Sequence, residues 1–158
     1  MIFVTVGTQL PFDRLIRVVD EWVGRSGRTD VFAQIGPGKY VPKHVAYESF
    51  ISPPQFTRNC EAAELIISHA GMGTILNALG MGKPILVMPR QAKFNEHRND
   101  HQLATARRFK EVGRIMVAMD ERELASQLDS LEQVSISERI GPYASPELLQ
   151  RVREFIES

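Results

Sequence analysis

The chain has 158 residues, enough for one domain with a substantial core and too few for two ordinary domains. Lys plus Arg and Asp plus Glu both number 19, so the formal net charge is zero, which argues against nucleic-acid binding through bulk charge. Its single cysteine, Cys60, cannot form an internal disulfide and fits a reducing compartment. The first residues lack the basic region of a signal peptide, and no apolar stretch approaches the roughly 20 residues of a membrane span. We therefore expect a single cytoplasmic domain over residues 1–158, with any membrane contact made through a surface or a partner.

Apolar runs alternate with amphipathic segments along the chain. Strands are predicted at 2–6, 31–36, 45–50, 65–70, 84–89 and 114–119, and the run at 2–6 is of the fully buried kind. Helices are predicted at 12–23, 53–63, 72–81, 95–113, 120–131 (with Asp120 as N-cap) and 146–158, with a loose connection over 132–146. Strands separated by helix-length segments imply right-handed crossovers and an α/β fold, with a Rossmann-like parallel sheet flanked by helices. Ligands of such sheets bind beyond the carboxyl ends of the strands, so we expect function in the loops after strands one, four and five.

A glycine-rich turn, residues 68–74, lies between the predicted fourth strand and the following helix. The first N–H groups of a helix have no internal partners and, together with the helix dipole, favour an anion. The two glycines let the backbone approach that anion or adopt a positive φ, and the two hydroxyls and the histidine ring could donate to it. A plain turn with glycines for packing is the alternative. The candidate phosphate-binding residues are Ser68, His69, Gly71, Met72, Gly73 and Thr74.

The turn does not fully match either common nucleotide motif. A Walker loop needs Ser or Thr after Gly-Lys, whereas Pro84 follows Lys83. A dinucleotide fingerprint needs Gly or Ala where Leu76 stands, and it follows the first strand of the sheet, not the fourth. Arg90, after the fifth strand, could meet the extra phosphate of NADP, so an NADP-binding protein stays open as an alternative.

A second candidate loop follows the first strand. Gly7 and Thr8 place a small residue and a hydroxyl at the carboxyl end of that strand, which suits a diphosphate or a sugar. Asp13 could cap the first helix. A plain turn is the alternative reading of this loop alone, but two such loops at one edge of a sheet favour a shared ligand.

Polar residues crowd the predicted start of the helix at 95–113. His97 and His101 are four apart and share a helix face, so they could hold zinc with Glu96 or Asp100, although the order H-E-x-x-H is absent. A solvated helix start is another alternative. We favour groups that read sugar hydroxyls, because carboxylates, imidazoles and amides offer matched donors and acceptors. The candidates are Glu96, Asp100, His101 and Gln102, and no metal or other cofactor is expected.

Two other features are expected to be structural. Cys60 is interpreted as a small packed side chain. Lys39 and Tyr40 are predicted to lie on a mobile surface loop, although Lys39, Lys43 and His44 could instead face a partner or a phosphate.

Three stretches in combination resemble a known family. They are VTVGTQLPFDRLI, ISHAGMGTILNALGMGKPILVMPR and EHRNDHQLATA. Together they are similar to the carboxyl-terminal, nucleotide-sugar-binding half of GT-B glycosyltransferases, over residues 1 to about 130. The resemblance extends to stand-alone subunits of bipartite enzymes: the catalytic subunit of the GlcNAc transferase of lipid-linked oligosaccharide synthesis, and the PssE-like subunits of exopolysaccharide and capsule synthesis.

The resemblance implies a role for each part of the site. The turn at His69, Gly71, Gly73 and Thr74 would hold the diphosphate of a UDP-sugar, assisted by Gly7 and Thr8. Phe50 and Ile51, with Ser52, would lie near the uracil, and His101 and Gln102 would touch sugar hydroxyls, with Glu96 and Asp100 close by. Many GT-B enzymes hold the ribose with a Glu where this chain has Asn77, whose amide lacks the two acceptors of a carboxylate. The residues expected to be catalytic are His69, Glu96 and His101, and Arg90 is also expected to contact the UDP-sugar.

The resemblance also implies a mechanism and a partner. UDP is the leaving group of an inverting transfer, and helix N–H groups, hydroxyls and a protonated His69 would stabilise its charge without a metal. The general base would come from a membrane-anchored, acceptor-binding partner subunit, which would present a lipid-linked saccharide. The product would be an exopolysaccharide, a capsule or a lipid-linked oligosaccharide. The last helix would pack on its own domain or on that partner. A non-catalytic UDP-sugar-binding accessory subunit is the alternative.

Overall fold

The computed structural model describes residues 1–112 and 115–131. In this part of the chain six parallel strands form one sheet in the order β3-β2-β1-β4-β5-β6. The strands are β1 Ile2–Thr5, β2 Val31–Gln34, β3 Ala46–Glu48, β4 Leu65–His69, β5 Ile85–Met88 and β6 Met116–Val117. The helices are α1 Asp13–Ser26, α2 Pro53–Ala62, α3 Met72–Gly80, α4 His101–Val112 and α5 Glu121–Leu131, with a 3-10 turn at Ala92–Phe94. The predicted parallel α/β fold is confirmed. No helix in these ranges is long and apolar enough to cross a membrane.

Side chains alternate across the sheet and build a core on each face. In β1, Ile2 and Val4 pack on the face covered by α1 and α5, whereas Phe3 packs on the face covered by α2, α3 and α4. The largest side chain in the first core is Trp22 of α1, which is fully buried. Burying such a side chain contributes on the order of 2–3 kcal/mol to the stability of the fold. Because each face of the sheet has its own core, the domain has three layers, with helices on both sides of the sheet.

The strand order places a crevice beside β1. The chain leaves β1 for β2 and β3 on one side, then returns to β4 on the other side. The loops after β1 and β4 therefore diverge at the carboxyl edge of the sheet, and this topological switch point is where open α/β sheets bind ligands.

The fourth helix begins later than the sequence predicts. It starts at His101, not at residue 95, and a loop replaces its first turns. Asn95 adopts a positive φ of 58°, and the carboxylates of Glu96 and Asp100 accept hydrogen bonds from the backbone N–H groups of Gln91 and Ala92. By accepting hydrogen bonds from N–H groups of the loop, these carboxylates stabilise the loop conformation relative to a continued helix. The predicted connection at 132–146 and helix at 146–158 lie outside the described residues.

The loop at 36–45 is anchored to α1, which corrects the expectation of a mobile segment. Asp20 of α1 is buried and accepts hydrogen bonds from the Tyr40 hydroxyl (2.7 Å) and from the backbone N–H groups of Lys43, His44 and Val45 (2.8–3.0 Å). Burial alone would raise the pKa of Asp20, but these hydrogen bonds outweigh it and hold the pKa below 3.8. The hydrogen bond from the Tyr40 hydroxyl to Asp20 raises the pKa of Tyr40 to about 12.

Two predicted helix caps have different outcomes. Asp120 caps α5 as predicted, since its carboxylate accepts from the Glu123 N–H at 2.9 Å. Asp13 does not cap α1: the helix begins at Asp13 itself, and the N-cap residue Phe12 makes no side-chain cap. Asp13 instead accepts from the Lys39 N–H at 3.1 Å and so helps to anchor the loop at 36–45.

Candidate functional site

The amino end of α3 faces the crevice without a side-chain cap. Its N-cap residue is Gly71, which has no side chain to bond the first-turn N–H groups of the helix. The backbone N–H groups of Met72, Gly73 and Thr74 belong to this uncapped turn, and the first intrahelical bond there is from Ile75 to Gly71. Unpaired N–H groups and the helix dipole together make a positive end suited to an anion. We call residues 71–74 the anion cradle.

The glycines of the site serve different purposes. Gly71 has ordinary extended backbone angles (φ −82°, ψ 129°), but a Cβ there would collide with the His69 ring. Gly73 has open space around it, so the backbone is accessible there. Gly7 has a φ of +78°, and a Cβ there would lie 3.3 Å from Nε2 of His69. A positive φ is therefore needed at Gly7 and not at Gly71, where the requirement is space for the histidine.

His69 lies between the two loops and is neutral. Its ring is half-buried at the end of β4, and Nδ1 lies 3.2 Å from the side-chain nitrogen of Gln102. Burial and then the positive charge of Arg90 lower the pKa of His69 to about 4. The expectation of a protonated His69 is therefore corrected: at neutral pH the ring acts as an uncharged donor.

Arg90 holds the loop after β1 through hydrogen bonds to its backbone. Its guanidinium is buried and donates through Nη2 to the carbonyl oxygens of Val6 (2.5 Å) and Leu10 (2.7 Å), on both sides of the loop that holds Gly7 and Thr8. Burial lowers its pKa to about 10, opposed by nearby Glu96, so it is charged at neutral pH. Arg90 was expected to touch the ligand, but it is only 4% exposed and its contacts hold the loop.

Glu96 is held in a buried ion pair. Both of its carboxylate oxygens lie 3.0 Å from the guanidinium of Arg14 in α1, and one of them also accepts from the Gln91 N–H. It is 7% exposed, so the structure does not present it to a sugar or to an acceptor hydroxyl. Its contacts indicate that it positions the loop, in contrast to the expected catalytic role.

The remaining candidates near the start of α4 differ in their exposure to solvent. Asp100 and His101 are exposed, and one oxygen of Asp100 accepts from the Ala92 N–H. Gln102 is buried, accepts from the Arg90 N–H and contacts His69. Within residues 1–112 and 115–131 no three His, Cys, Asp or Glu side chains are grouped so that they could hold a metal ion.

The other residues expected to bind the ligand differ in their exposure and contacts. Phe50 is 53% exposed and Ile51 packs partly on the core. Thr8 is exposed and Thr74 half-buried, whereas the buried Ser68 hydroxyl donates to the backbone carbonyl of His69. The Asn77 amide lies 4.0 Å from Sγ of Cys60, whose thiol has its pKa raised to about 11 by burial.

Sequence reasoning missed two supporting groups. Thr5 ends β1 and donates to the side chain of Gln34 at the end of β2 (2.9 Å), while its oxygen accepts from the Gly7 N–H at 3.3 Å. Arg14 anchors Glu96. The available signal for Thr5 was a polar residue within an otherwise apolar first strand.

A parallel sheet whose order reverses between β1 and β4, with a glycine-rich turn at that point, defines a Rossmann-like domain. The family model described as the glycosyltransferase family 28 C-terminal domain matches residues 1–139. The chain therefore belongs to this family.

The chain is similar in sequence to several proteins of known activity. It is 33% identical to human UDP-N-acetylglucosamine transferase subunit ALG13 over 124 residues, which are 72% of this chain and 10% of that protein. It is 29% identical over 138 residues to a Thermus thermophilus UDP-N-acetylglucosamine–N-acetylmuramyl-(pentapeptide) pyrophosphoryl-undecaprenol N-acetylglucosamine transferase, covering 87% of this chain and 36% of that protein. The chain thus spans about a tenth and about a third of the length of these relatives.

Solved structures share the fold. A solution structure of ALG13 superposes with a TM-score of 0.66 at 21% identity, covering 99% of this chain and 95% of that one. The crystal structure of Acinetobacter baumannii MurG gives a TM-score of 0.60 at 19% identity, covering 98% and 49%. At these identities the likeness concerns the fold.

Proposed function

We propose that this protein is the donor-binding subunit of an inverting glycosyltransferase that uses a UDP-sugar. The observation that carries the proposal is the uncapped amino end of α3, which lies at the switch point with the His69 ring and Gly7 beside it. Membership of the glycosyltransferase family 28 C-terminal domain supports the same function.

The diphosphate is proposed to lie in the anion cradle. The N–H groups of the first α3 turn would donate to its oxygens, joined by the Thr74 hydroxyl and by Nε2–H of His69. The loop of Gly7 and Thr8 would cover the other side. Uracil is proposed to lie toward Phe50 and Ile51, whose aromatic and apolar surfaces are partly accessible. Asp100 and His101, which are exposed near the start of α4, are the proposed contacts of the sugar hydroxyls.

The chemistry follows from the leaving group. An acceptor hydroxyl attacks the anomeric carbon of the sugar, the bond from that carbon to the β-phosphate oxygen breaks, and UDP leaves with the electron pair. Donors fixed around the diphosphate stabilise the charge that develops on it in the transition state. The hydroxyl proton passes to a general base. Glu96 is committed to Arg14, so we propose that the base is supplied by a partner subunit.

The proposed partner is a membrane-anchored subunit that binds a lipid-linked saccharide. Support comes from the relatives that are named as transferase subunits and from a relative that acts on an undecaprenol-linked acceptor. The protein would then be cytoplasmic and would associate with the membrane through that partner. The proposed pathway is lipid-linked oligosaccharide, exopolysaccharide or capsule synthesis, and the proposed transferred sugar is of the hexose type.

A transferase assay on the complex tests the proposal. The chain is co-expressed with its partner, and transfer from radiolabelled UDP-sugars to lipid acceptor is measured for wild type, His69→Ala and Thr74→Ala. Each variant should lose at least about tenfold in rate, since removal of one donor to a developing charge costs on the order of 2 kcal/mol or more. Ser126→Ala, on the exposed side of α5, should retain full rate. Full activity of both site variants would refute donor binding by this chain.

The same complex distinguishes a catalytic subunit from a non-catalytic accessory subunit. The partner alone should have no measurable transfer if the donor site is in this chain. Substantial transfer by the isolated partner, merely increased by this chain, would establish the accessory role instead.

A further inference from the structure

Gln102 connects Arg90 to His69 through two hydrogen bonds whose directions are fixed. The backbone N–H of Arg90 can only donate, so the Gln102 atom 3.1 Å away must be the carbonyl oxygen Oε1. The other end of the amide is therefore the NH2 group, which can only donate. It lies 3.2 Å from Nδ1 of His69, so Nδ1 accepts.

This direction determines the protonation state of the imidazole. A ring whose Nδ1 accepts a hydrogen bond carries its proton on Nε2. Nε2 faces Gly7, and among the described residues it has no hydrogen-bond partner. The ring therefore presents one N–H to the crevice, between the anion cradle and the loop after β1.

We propose that Gln102 is a positioning residue, which holds His69 as the neutral Nε2–H tautomer so that this N–H donates to the diphosphate of the donor. The inference rests on the proposed function and deepens it. It also replaces the expectation that Gln102 reads the sugar. Gln102 is 6% exposed, and both ends of its amide are already bonded within the protein.

The charges around His69 favour the same state. Burial is the largest effect that disfavours a positive charge on the ring, and Arg90, just after β5, and His97, in the loop before α4, act in the same direction. Gln102, from α4, is the neutral group in contact with the ring. The resulting pKa of about 4 keeps the ring neutral through the physiological range.

Nuclear magnetic resonance of the imidazole nitrogens tests the tautomer directly. The chain has four histidines, so the ring signals can be assigned by single substitutions. Wild-type His69 should show a protonated Nε2 and a bare Nδ1 that does not titrate above pH 5. In Gln102→Glu the carboxylate would accept from Nδ1, so His69 should become protonated there and titrate at least about one pH unit higher. A protonated Nδ1 in the wild type, or an unchanged titration in Gln102→Glu, would overturn the proposal.

Calorimetric titration with UDP and with UDP-N-acetylglucosamine distinguishes a Gln102 that positions His69 from a Gln102 that bonds directly to the sugar. Gln102→Met keeps the side-chain length and removes both hydrogen bonds. A positioning role predicts that both affinities fall by the same factor, about fivefold to tenfold. An unchanged UDP affinity with weaker UDP-N-acetylglucosamine binding would establish sugar reading and refute the proposal. Gln127→Met is the matched control, since Gln127 donates to the Val117 carbonyl far from the crevice and its loss should leave both affinities intact.

The two experiments fail in distinguishable ways. If wild type binds no UDP, the proposed function fails, whereas the resonance measurement still decides whether Gln102 sets the tautomer. If wild type binds UDP but the Gln102 variants change neither the tautomer nor the affinity, only the positioning role fails. Because Gln102→Glu keeps an acceptor for the Arg90 N–H, it serves as the folded variant if Gln102→Met does not fold.

Discussion

Arg14 in α1 and Glu96 in the loop before α4 form a buried bidentate ion pair across 82 residues of sequence. Nε and Nη2 of Arg14 donate to the two carboxylate oxygens, each at 3.0 Å, and both side chains are nearly inaccessible. Since Glu96 also accepts from the Gln91 N–H, the pair joins the loop after β5 to the first helix. That loop leads into the end of α4 where Gln102 and His69 meet, so the pair contributes to the shape of the crevice.

Glu96→Ala should destabilise the fold by about 3 kcal/mol, because the buried guanidinium of Arg14 loses both of the hydrogen bonds that it donates to the Glu96 carboxylate. Urea denaturation followed by circular dichroism measures this loss. Glu121→Ala is the control, since Glu121 is half-exposed and lies 3.6 Å from Arg14, and its removal should cost less than about 1 kcal/mol. Equal effects of the two substitutions would contradict the importance of the buried pair.

Asp20→Asn should destabilise the protein by about 2 kcal/mol at pH 7, because one amide oxygen cannot replace a carboxylate that accepts four hydrogen bonds. The folded-state pKa of Asp20 lies below its unfolded value, so the stabilisation is present above about pH 4 and is lost as pH falls through the folded pKa. The difference between wild type and variant should therefore shrink in urea denaturation at pH 3. Glu21→Gln, exposed on the same helix, should show little change at either pH. A gap that persists unchanged at pH 3 would exclude the charge of Asp20 as its cause.

Gly71→Ala should weaken UDP binding at least tenfold while the domain stays folded. The backbone at this position suits any residue, but the added Cβ would displace the His69 ring. Gly80→Ala, at the other end of the same helix, meets no atom within 4 Å and should leave UDP affinity unchanged. Calorimetry measures both affinities, and circular dichroism verifies folding. Wild-type affinity in Gly71→Ala would show that the position of His69 does not matter for the ligand.

The sequence predicted most of the fold because buried parallel strands are short apolar runs separated by amphipathic helices. All six strands lie within or close to their predicted ranges. The glycine-rich turn was also predictable, since His69, Gly71 and Thr74 are local in sequence. The roles of Glu96 and Gln102 were not, because their partners Arg14 and His69 lie 82 and 33 residues away. A polar cluster reveals that groups are available for bonding, but only the tertiary structure shows which ones are already bonded to the protein.

Titration of the isolated chain with UDP and with NADP+ tests the central claim most directly. The anion cradle and the buried position of Arg90 predict measurable UDP binding and none for NADP+. Thr74→Ala should weaken UDP binding about fivefold, as expected for the loss of one hydroxyl donor of about 1 kcal/mol. Binding of NADP+ without binding of UDP would contradict the account.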